Sequence, residues 1–146
     1  MAFTNTSHLS TRYLRQIIRF SAPSGVSGIN FLITRTPYDG SGFYSGQRDL
    51  IVARLPKKTK LPQYRPFRPS RKGYLPVALF SCDEIAVYII AHELRHAWHQ
   101  RHPKGWRVWG SRGQYSERDA DAYAIKKVRA WRRTAPTGRP TNLTNT

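Results

Sequence analysis

Residues 81–103 carry the pattern that most constrains this chain, a capped apolar helix with two histidines one turn apart. Ser81 and Glu84 have the S-x-x-E spacing of a capping box, which satisfies free amide groups at a helix start. An apolar run follows over residues 85–91. Pro103 predicts the end of the helix, because the residue before a proline avoids helical angles. The pattern therefore predicts a largely buried helix of about 20 residues, about 30 Å long.

The second half of this helix contains the H-E-x-x-H pattern, as His92-Glu93-Leu94-Arg95-His96. Positions i and i+4 lie on one face of a helix, so His92 and His96 can bind one Zn²⁺ at about 2.0–2.1 Å each. Glu93 then lies beside the ion, where it can act as a general base on water. Burying these groups is costly unless they have a partner, and a metal ion is a suitable one. The sequence predicts one zinc ion per chain.

A catalytic zinc site has three protein ligands and one open position, so a third ligand is needed. Residues 115–124 contain a second helix start, in which Ser116 is the predicted N-cap and Asp119 follows three residues later. Glu117 falls in the first turn, and Asp121 lies four residues further on, on the same face. This segment therefore contains the best candidate for the third ligand.

The two motifs together resemble those of the gluzincin metallopeptidases, which have H-E-x-x-H followed by E-x-x-x-D, here at 92–96 and 117–121. The segment 117–124 is also similar to small ImmA/IrrE-type and minimal gluzincin proteins. The resemblance covers roughly residues 81–131. It implies a zincin-like fold, in which a sheet edge lies beside the active helix and a peptide can add to it as an extra strand.

The same resemblance implies a role for each motif residue. His92, His96 and Glu117 would be the zinc ligands, and Glu93 the general base. Asp121 would hold His92 by a hydrogen bond, which fixes the tautomer and the basicity of that ligand.

His102 is the alternative third ligand, because metzincins place a third histidine at this spacing in the pattern H-E-x-x-H-x-x-G-x-x-H. Two features disfavour it. His99 stands where that pattern has a helix-breaking glycine, and the only methionine of the chain is Met1, whereas metzincins need one downstream. Residues 102–106 also have a slight similarity to SprT/Spartan-type zinc proteases, but the histidine comes too early.

Three further residues are candidates to line the cleft and bind a substrate carbonyl or oxyanion, namely His99, Tyr115 and Tyr123. Each has an ordinary alternative role. His99 could interact with the negative end of the helix dipole, and the two tyrosines could be packing residues.

The cysteine content bears on the cellular compartment, and the apolar runs bear on membrane association. Cys82 is the only cysteine, so no intramolecular disulfide can form, and a cytoplasmic location is expected with Cys82 as a small buried residue. No apolar run approaches about 20 residues, so no integral membrane segment is expected. The first 38 residues contain no acid and are similar to a transit peptide. Leu14, Ile17, Ile18 and Phe20 fit an amphipathic helix at about 10–20 equally well.

The formal net charge of +17, from 25 lysines and arginines against eight acids, favours a polyanionic partner. Basic residues cluster at 126–133 and at 54–72, where aromatic residues interleave them as in nucleic-acid contacts. The alternatives are acidic protein substrates, an anionic membrane surface, or a basic surface that is only solvated. Five of the eight acids, at positions 83, 84, 93, 117 and 121, are expected around the candidate site. The candidate nucleic-acid-binding residues are Lys57, Lys58, Lys60, Arg65, Arg68, Arg71 and Lys72.

The predicted fold class is α+β, with a single zincin-like domain over residues 1–133 and a disordered tail at 134–146. An N-terminal helix precedes a small antiparallel sheet, in which strands 28–34 and 49–55 run antiparallel. Residues 39–42, between the two strands, are predicted to form a turn. A basic, proline-rich loop without regular structure occupies 56–72. A third strand at 73–80 leads into the active helix, and the ligand-bearing second helix follows.

Two functional hypotheses follow from these patterns. The first is a zinc endopeptidase that hydrolyses protein or peptide substrates and whose basic surface brings it to nucleic acid, to the nucleoid or to a DNA-bound protein. The second is a basic nucleic-acid-binding protein with a structural or vestigial zinc site. A structural site is normally closed by four ligands, often cysteines. Three good ligands and an intact Glu93 therefore favour the enzyme. No pattern indicates the oligomeric state.

Overall fold

Three helices and two sheets form the described part of the chain, so the α+β class is confirmed. The computed structural model describes residues 2–67, 76–102 and 114–134, with only the backbone at 114 and 115. The elements are β1 (Phe3–Asn5), α1 (Thr11–Ser21), β2 (Asn30–Thr36), β3 (Ser41–Ser45), β4 (Leu50–Pro56), β5 (Gln63–Arg65), β6 (Val77–Leu79), α2 (Cys82–Arg101) and α3 (Gln114–Thr134).

The main sheet is mixed, with strand order β1-β2-β4-β3. β1, β2 and β4 are parallel to one another, and only β3 runs antiparallel to its neighbour β4. The predicted antiparallel pairing of the strands near 28–34 and 49–55 is therefore wrong. The prediction rests on a single turn at residues 39–42. In the structure β3 begins at Ser41, so the chain reverses direction twice between β2 and β4. Two reversals leave β4 parallel to β2.

A second, two-stranded antiparallel sheet joins β5 to β6. β5 lies inside the segment 56–72, which was predicted to have no regular structure. Pro62 and Pro66 flank the three residues of β5, and prolines are tolerated at the ends of a strand in a small edge ribbon. β6 falls within the predicted third strand, of which residues 73–75 lie outside the described residues.

Helix α2 confirms the prediction from the capping box and Pro103. The Ser81 side chain accepts a hydrogen bond from the Glu84 amide at 3.3 Å, and the Glu84 carboxylate accepts one from the Phe80 amide at 2.9 Å. His102 is the extended C-cap residue, with ψ of 127°. Every residue from 82 to 91 is buried, because α2 packs on β3 and β4 and is flanked by α1 and α3.

Helix α1 confirms the predicted amphipathic helix at about 10–20. Its N-cap is Ser10, whose side chain accepts from the Tyr13 amide. Tyr13, Leu14 and Ile17 are buried in the core, and the opposite face carries arginines that are exposed to solvent.

Helix α3 begins at Gln114, two residues before the predicted N-cap. Ser116 is therefore not the cap but a buried residue of the first turn. A stripe at helical spacing faces the core, formed by Ala120, Ala124, Val128 and Trp131, each at most 1% exposed. The small residues of this stripe let α3 lie close to α2.

Helices α2 and α3 run antiparallel, since the end of α3 meets the start of α2. The guanidinium of Arg132 donates to both carboxylate oxygens of Glu84, at 2.7 and 2.8 Å, and to the carbonyl of Ala78 in β6. Trp131 packs edge-on against Phe20 and Tyr13, at ring-centroid distances of 5.2 and 6.1 Å. The C-terminal half of α3 thus closes the core against α1.

Cys82 is buried, as expected, and its Sγ donates to the Lys57 carbonyl at 3.4 Å. Among the described residues, no helix combines the length and the apolar content that crossing a membrane would require. The predicted tail is described only at Thr134, and residues 135–146 lie outside the described residues.

Replacing Trp131 by alanine tests the packing of α3 on α1. We expect Trp131→Ala to lower the free energy of unfolding by about 3–5 kcal/mol, because it leaves a cavity between the two helices. Urea unfolding with a metal chelator present measures this without a contribution from ligand binding. Tyr38 is 78% exposed, so Tyr38→Ala should change the stability by no more than about 0.5 kcal/mol. A loss below about 1 kcal/mol for Trp131→Ala would contradict the observed packing.

Candidate metal centre

His92, His96 and Glu117 form a group that could hold a metal ion. The Nε2 atoms of the two histidines are 3.1 Å apart. The two carboxylate oxygens of Glu117 lie 3.2 Å from Nε2 of His92 and 2.9 Å from Nε2 of His96. The two histidines lie one turn apart on α2, and the glutamate reaches them from the first turn of α3. The structure therefore brings together the three residues that the motifs single out.

The spacing of these atoms fits a tetrahedral metal site. With bonds of about 2.0–2.1 Å, ligand atoms in a tetrahedron are about 3.3 Å apart. The separation of 3.1 Å between the two Nε2 atoms is close to that value. One oxygen of Glu117 faces each histidine, at 3.2 Å from His92 and 2.9 Å from His96. Two imidazole nitrogens and a carboxylate that converge in this way need a proton or a metal ion between them, since their lone pairs otherwise repel one another. The donor set therefore fits a divalent metal ion.

Asp121 lies behind His92, on the side away from the ligand atoms. Its Oδ1 is 3.1 Å from Nδ1 of His92 and accepts a hydrogen bond from the Tyr88 hydroxyl at 2.9 Å. The contact with His92 is at ion-pair distance, although its geometry falls short of a hydrogen bond. A carboxylate facing Nδ1 favours the tautomer with the proton on that atom and leaves Nε2 free to bind a metal.

The surrounding acids favour a positive charge on His92 or beside it. Burial alone would lower the pKa of His92, but Asp121 and Glu117 outweigh it and raise the pKa to about 10. The contacts of Glu117 with His92 and His96 in turn hold the pKa of its carboxyl group well below the usual range. A metal ion supplies the same compensating charge as the proton on His92.

Glu93 is buried beside the ligand group, with Oε1 3.8 Å from Nε2 of His92. Burial raises the pKa of Glu93, and the neighbouring His92 and His96 oppose the rise. A carboxyl group with a raised pKa takes up and releases a proton closer to neutral pH than an ordinary glutamate does. Glu93 thus has both the position and the electrostatics of a general base.

Strand β3 passes very close to Glu93, at Gly42. A Cβ atom on Gly42 would lie 2.8 Å from Cγ2 of Ile89 and 3.1 Å from Cγ of Glu93, which is too close for any side chain without displacement. The sequence predicts Gly42 only as part of a turn. Its role is to let the backbone of the sheet edge approach α2.

A cleft of about 780 Å³ opens between β3 and the ligand group, which we call the β3 cleft. β3 is the last strand of the main sheet, so its outer edge has no strand partner among the described residues. The residues that line the cleft are Gly42, Phe43, Tyr44, Ser45, Gly46, Gln47, Glu93, His96, Gln100 and Glu117. An exposed strand edge therefore runs alongside the ligand group and Glu93.

The other predicted cleft residues lie elsewhere. His99 is 2% exposed, and its Nε2 lies 2.6 Å from Asp119, so it does not line the cleft. The hydroxyl of Tyr123 donates to the carbonyl of Ser21 in α1 at 2.5 Å. His102 stacks on Trp98 at 4.4 Å and is not part of the ligand group. The side chain of Tyr115 lies outside the described residues.

The predicted nucleic-acid residues divide into three sets. Lys57, Lys58 and Lys60 are exposed on the chain that follows β4. Arg65 is only 8% exposed and is hydrogen-bonded within the fold, so it is not an outward basic residue, which corrects the prediction. Residues 68, 71 and 72 lie outside the described residues.

All eight acids have partners, but they do not all surround the metal centre. Asp83 bonds to Tyr13, and Glu84 bonds to Arg132, both at the far end of α2, so two of the five acids expected at the site lie elsewhere. Asp119 was predicted only as part of a helix start. Its carboxylate lies 2.6 Å from both Arg95 and His99. Helical spacing could have indicated this contact, since Arg95 and His99 lie four residues apart.

Comparison of the chain with protein-family models, with curated proteins and with solved structures gave no match. The function is therefore inferred from the geometry of the site.

The identity of the third ligand is tested by the metal content of purified variants. We expect Glu117→Ala to lose the bound metal, because it leaves only two ligands. His102→Ala should keep one metal ion per chain, since His102 stacks on Trp98 outside the ligand group. Elemental analysis after reconstitution with zinc measures both. Metal lost in His102→Ala and kept in Glu117→Ala would move the third ligand to His102.

The role of Asp121 is tested separately. We expect Asp121→Ala to weaken zinc binding by about 10–100-fold, the usual effect of removing the partner that orients a histidine ligand. Tyr88→Phe is the matched control, because it removes the other contact of the same carboxylate and leaves His92 facing it. Competition with a chromophoric chelator gives both affinities. Equal affinities in wild type and Asp121→Ala would leave Asp121 without a role at the metal.

Proposed function

We propose that the protein is a zinc-dependent peptidase that hydrolyses peptide bonds in the β3 cleft. One observation carries the proposal: a three-ligand group, with Glu93 beside it, faces a cleft along an exposed strand edge. Peptide hydrolysis requires a metal site, a general base and a surface that binds the peptide. The ligand group, Glu93 and the strand edge are candidates for these three roles, and they lie at one place.

The donor set supports zinc as the metal. Two imidazoles and one carboxylate in near-tetrahedral spacing are a common ligand set of catalytic zinc sites, whereas structural sites are usually closed by four ligands. The described residues provide three ligands, and the side chain of Glu117 is 57% exposed, so the group is open on the side of the cleft. A zinc ion there supplies a Lewis acid that polarises the substrate carbonyl and makes water more acidic.

Glu93 performs the proton transfers. Its carboxylate takes a proton from the attacking water as the new C–O bond forms at the peptide carbonyl. The raised pKa of Glu93 helps it to hold that proton in the buried site. It then passes the proton to the nitrogen of the leaving amine as the C–N bond breaks, and the carboxylate is restored.

Strand β3 orients the peptide. An extended peptide can add to the outer edge of β3 through main-chain hydrogen bonds, which require no particular sequence. Gly42 brings this edge against Glu93, so a peptide bound along it passes the base and the ligand group. The backbone of β3 thus places the scissile bond and leaves selectivity to the walls of the cleft.

Association with nucleic acid or with a DNA-bound substrate stays a prediction. It rests on the net charge of +17 and on the exposed lysines at 57, 58 and 60.

Replacing Glu93 by glutamine tests the peptidase directly. We expect Glu93→Gln to keep one zinc per chain, because Glu93 is not a ligand, and to lower peptide hydrolysis by at least about 100-fold through loss of the base. Mass spectrometry of a complex mixture of protein-derived peptides, incubated with the zinc-loaded protein, measures cleavage without assuming a substrate. Chelation should abolish cleavage, and added zinc should restore it. Hydrolysis that persists in Glu93→Gln would refute the assigned base.

A further inference from the structure

Arg65 lines a second, smaller pocket that shares Gly42 and Glu93 with the β3 cleft. We call it the Arg65 pocket; it has a volume of about 270 Å³ and is walled mainly by Ser41, Arg65, Phe67, Tyr88, His92 and Glu93. His92 and Glu93 border it, so a group bound there lies next to the metal centre. A volume just below the roughly 300–1,000 Å³ of typical ligand sites suits one side chain or one chain end.

The guanidinium of Arg65 is fixed in place by neutral groups alone. Its Nε donates to the side-chain oxygen of Gln63 at 2.6 Å, and its Nη2 donates to the carbonyls of Asp39 and Gly40 at 3.0 and 2.8 Å. The rings of Phe67 and Tyr88 lie 4.3 and 6.0 Å from its central carbon. These contacts orient the planar group and leave Nη1 without a hydrogen-bond partner among the described residues.

Arg65 has no carboxylate within ion-pair distance in the part of the chain that the structure describes, which includes all eight acids. The residue is only 8% exposed. A buried cation without a counter-charge is costly, and such groups are normally paired. Asp39 and Asp121 act on Arg65 only from beyond ion-pair distance. The unused Nη1 and the absence of a carboxylate in contact together indicate an external anion.

The charges around the two pockets support this conclusion. Among the described residues, Arg65 is the only lysine or arginine that lines either the β3 cleft or the Arg65 pocket. Two acids also border the Arg65 pocket, but Asp121 is engaged by His92 and Tyr88, and Glu93 lies beside the ligand histidines. Arg65 is therefore the only lysine or arginine that the described lining residues offer to a bound substrate.

We propose that Arg65 is a specificity-determining residue, whose Nη1 binds a carboxylate of the peptide substrate in the Arg65 pocket. The inference rests on the proposed peptidase function, and it names the class of substrate, namely peptides with a carboxylate close to the scissile bond. That carboxylate belongs either to an aspartate or glutamate side chain or to the C-terminus of the peptide. A site built to pair a charged group rejects the neutral analogue, because the cation is then left unpaired.

Three small probes of equal size separate the two sources without any turnover. N-acetyl-glutamate α-amide carries only a side-chain carboxylate, N-acetyl-glutamine carries only a C-terminal one, and N-acetyl-glutamine α-amide carries neither. Calorimetric titration of the zinc-loaded wild-type protein gives the three affinities. We expect one or both of the acidic probes to bind at least about tenfold more tightly than the neutral one, as a charge-assisted hydrogen bond implies.

Variants assign this preference to Arg65 rather than to the metal. Arg65→Gln should abolish the difference between acidic and neutral probes, whereas a carboxylate bound by zinc would keep it. Arg65→Lys should retain part of the preference, because the charge is kept. Arg12→Gln removes an exposed arginine of α1 and is the matched control for net charge. Zinc content and the midpoint of urea unfolding show whether each variant is intact.

The outcomes separate this inference from the proposed function. Equal affinity of the wild type for all three probes, or a preference that survives in an intact Arg65→Gln protein, overturns the carboxylate subsite. If Arg65→Gln does not fold, the cleavage sites of the wild type decide, since they should show an acid or a chain end at one fixed position. Cleavage without such a preference overturns the subsite and leaves the peptidase standing. A carboxylate preference in binding without any cleavage supports the subsite and refutes the peptidase.

Discussion

The antiparallel contact between α2 and α3 is the constraint on which the metal centre depends. The first turns of α3 carry Glu117, Asp119 and Asp121, and these acids face basic or donor side chains in the second half of α2. Arg132 and Glu84 make a contact of the same kind at the opposite end of the pair. The helix dipoles favour this arrangement, because acids lie near the N-terminus of α3 and an arginine near its C-terminus. The ligand from α3 is therefore aligned by the whole helix interface.

The small number of acids in the chain favours the pairing of α2 with α3 over pairing with other segments. The chain has 25 basic residues and eight acids, and each of the acids has a hydrogen-bond or ion-pair partner within the fold. Three of the eight lie in the first turns of α3, so few other segments could compete for the histidines and Arg95 of α2. Several of the described basic residues, such as Lys57, Lys58 and Lys60, are exposed on the surface.

Local patterns predicted helix α2 and the three ligand candidates, because capping and the i, i+4 spacing act within one helix. They failed where the answer depended on distant segments. The parallel pairing of β2 and β4 could not be predicted once β3 had been taken for a turn. The burial of Arg65 depends on the carbonyls of Asp39 and Gly40, which a reading of residues 54–72 as a basic cluster does not include. His99 was assigned to the cleft from its spacing, but Asp119 holds it in the interior.

Gly42 has a consequence for how a protein with this architecture could diverge. Even a methyl group there would lie too close to Ile89 and Glu93, so Gly42 cannot be replaced without displacement of its neighbours. Point mutation at Gly42 cannot retune which residues the cleft accepts without first displacing the strand or the helix. Diversification must instead occur at flanking wall positions such as Phe43 and Gln47, while the backbone beside the base stays the same.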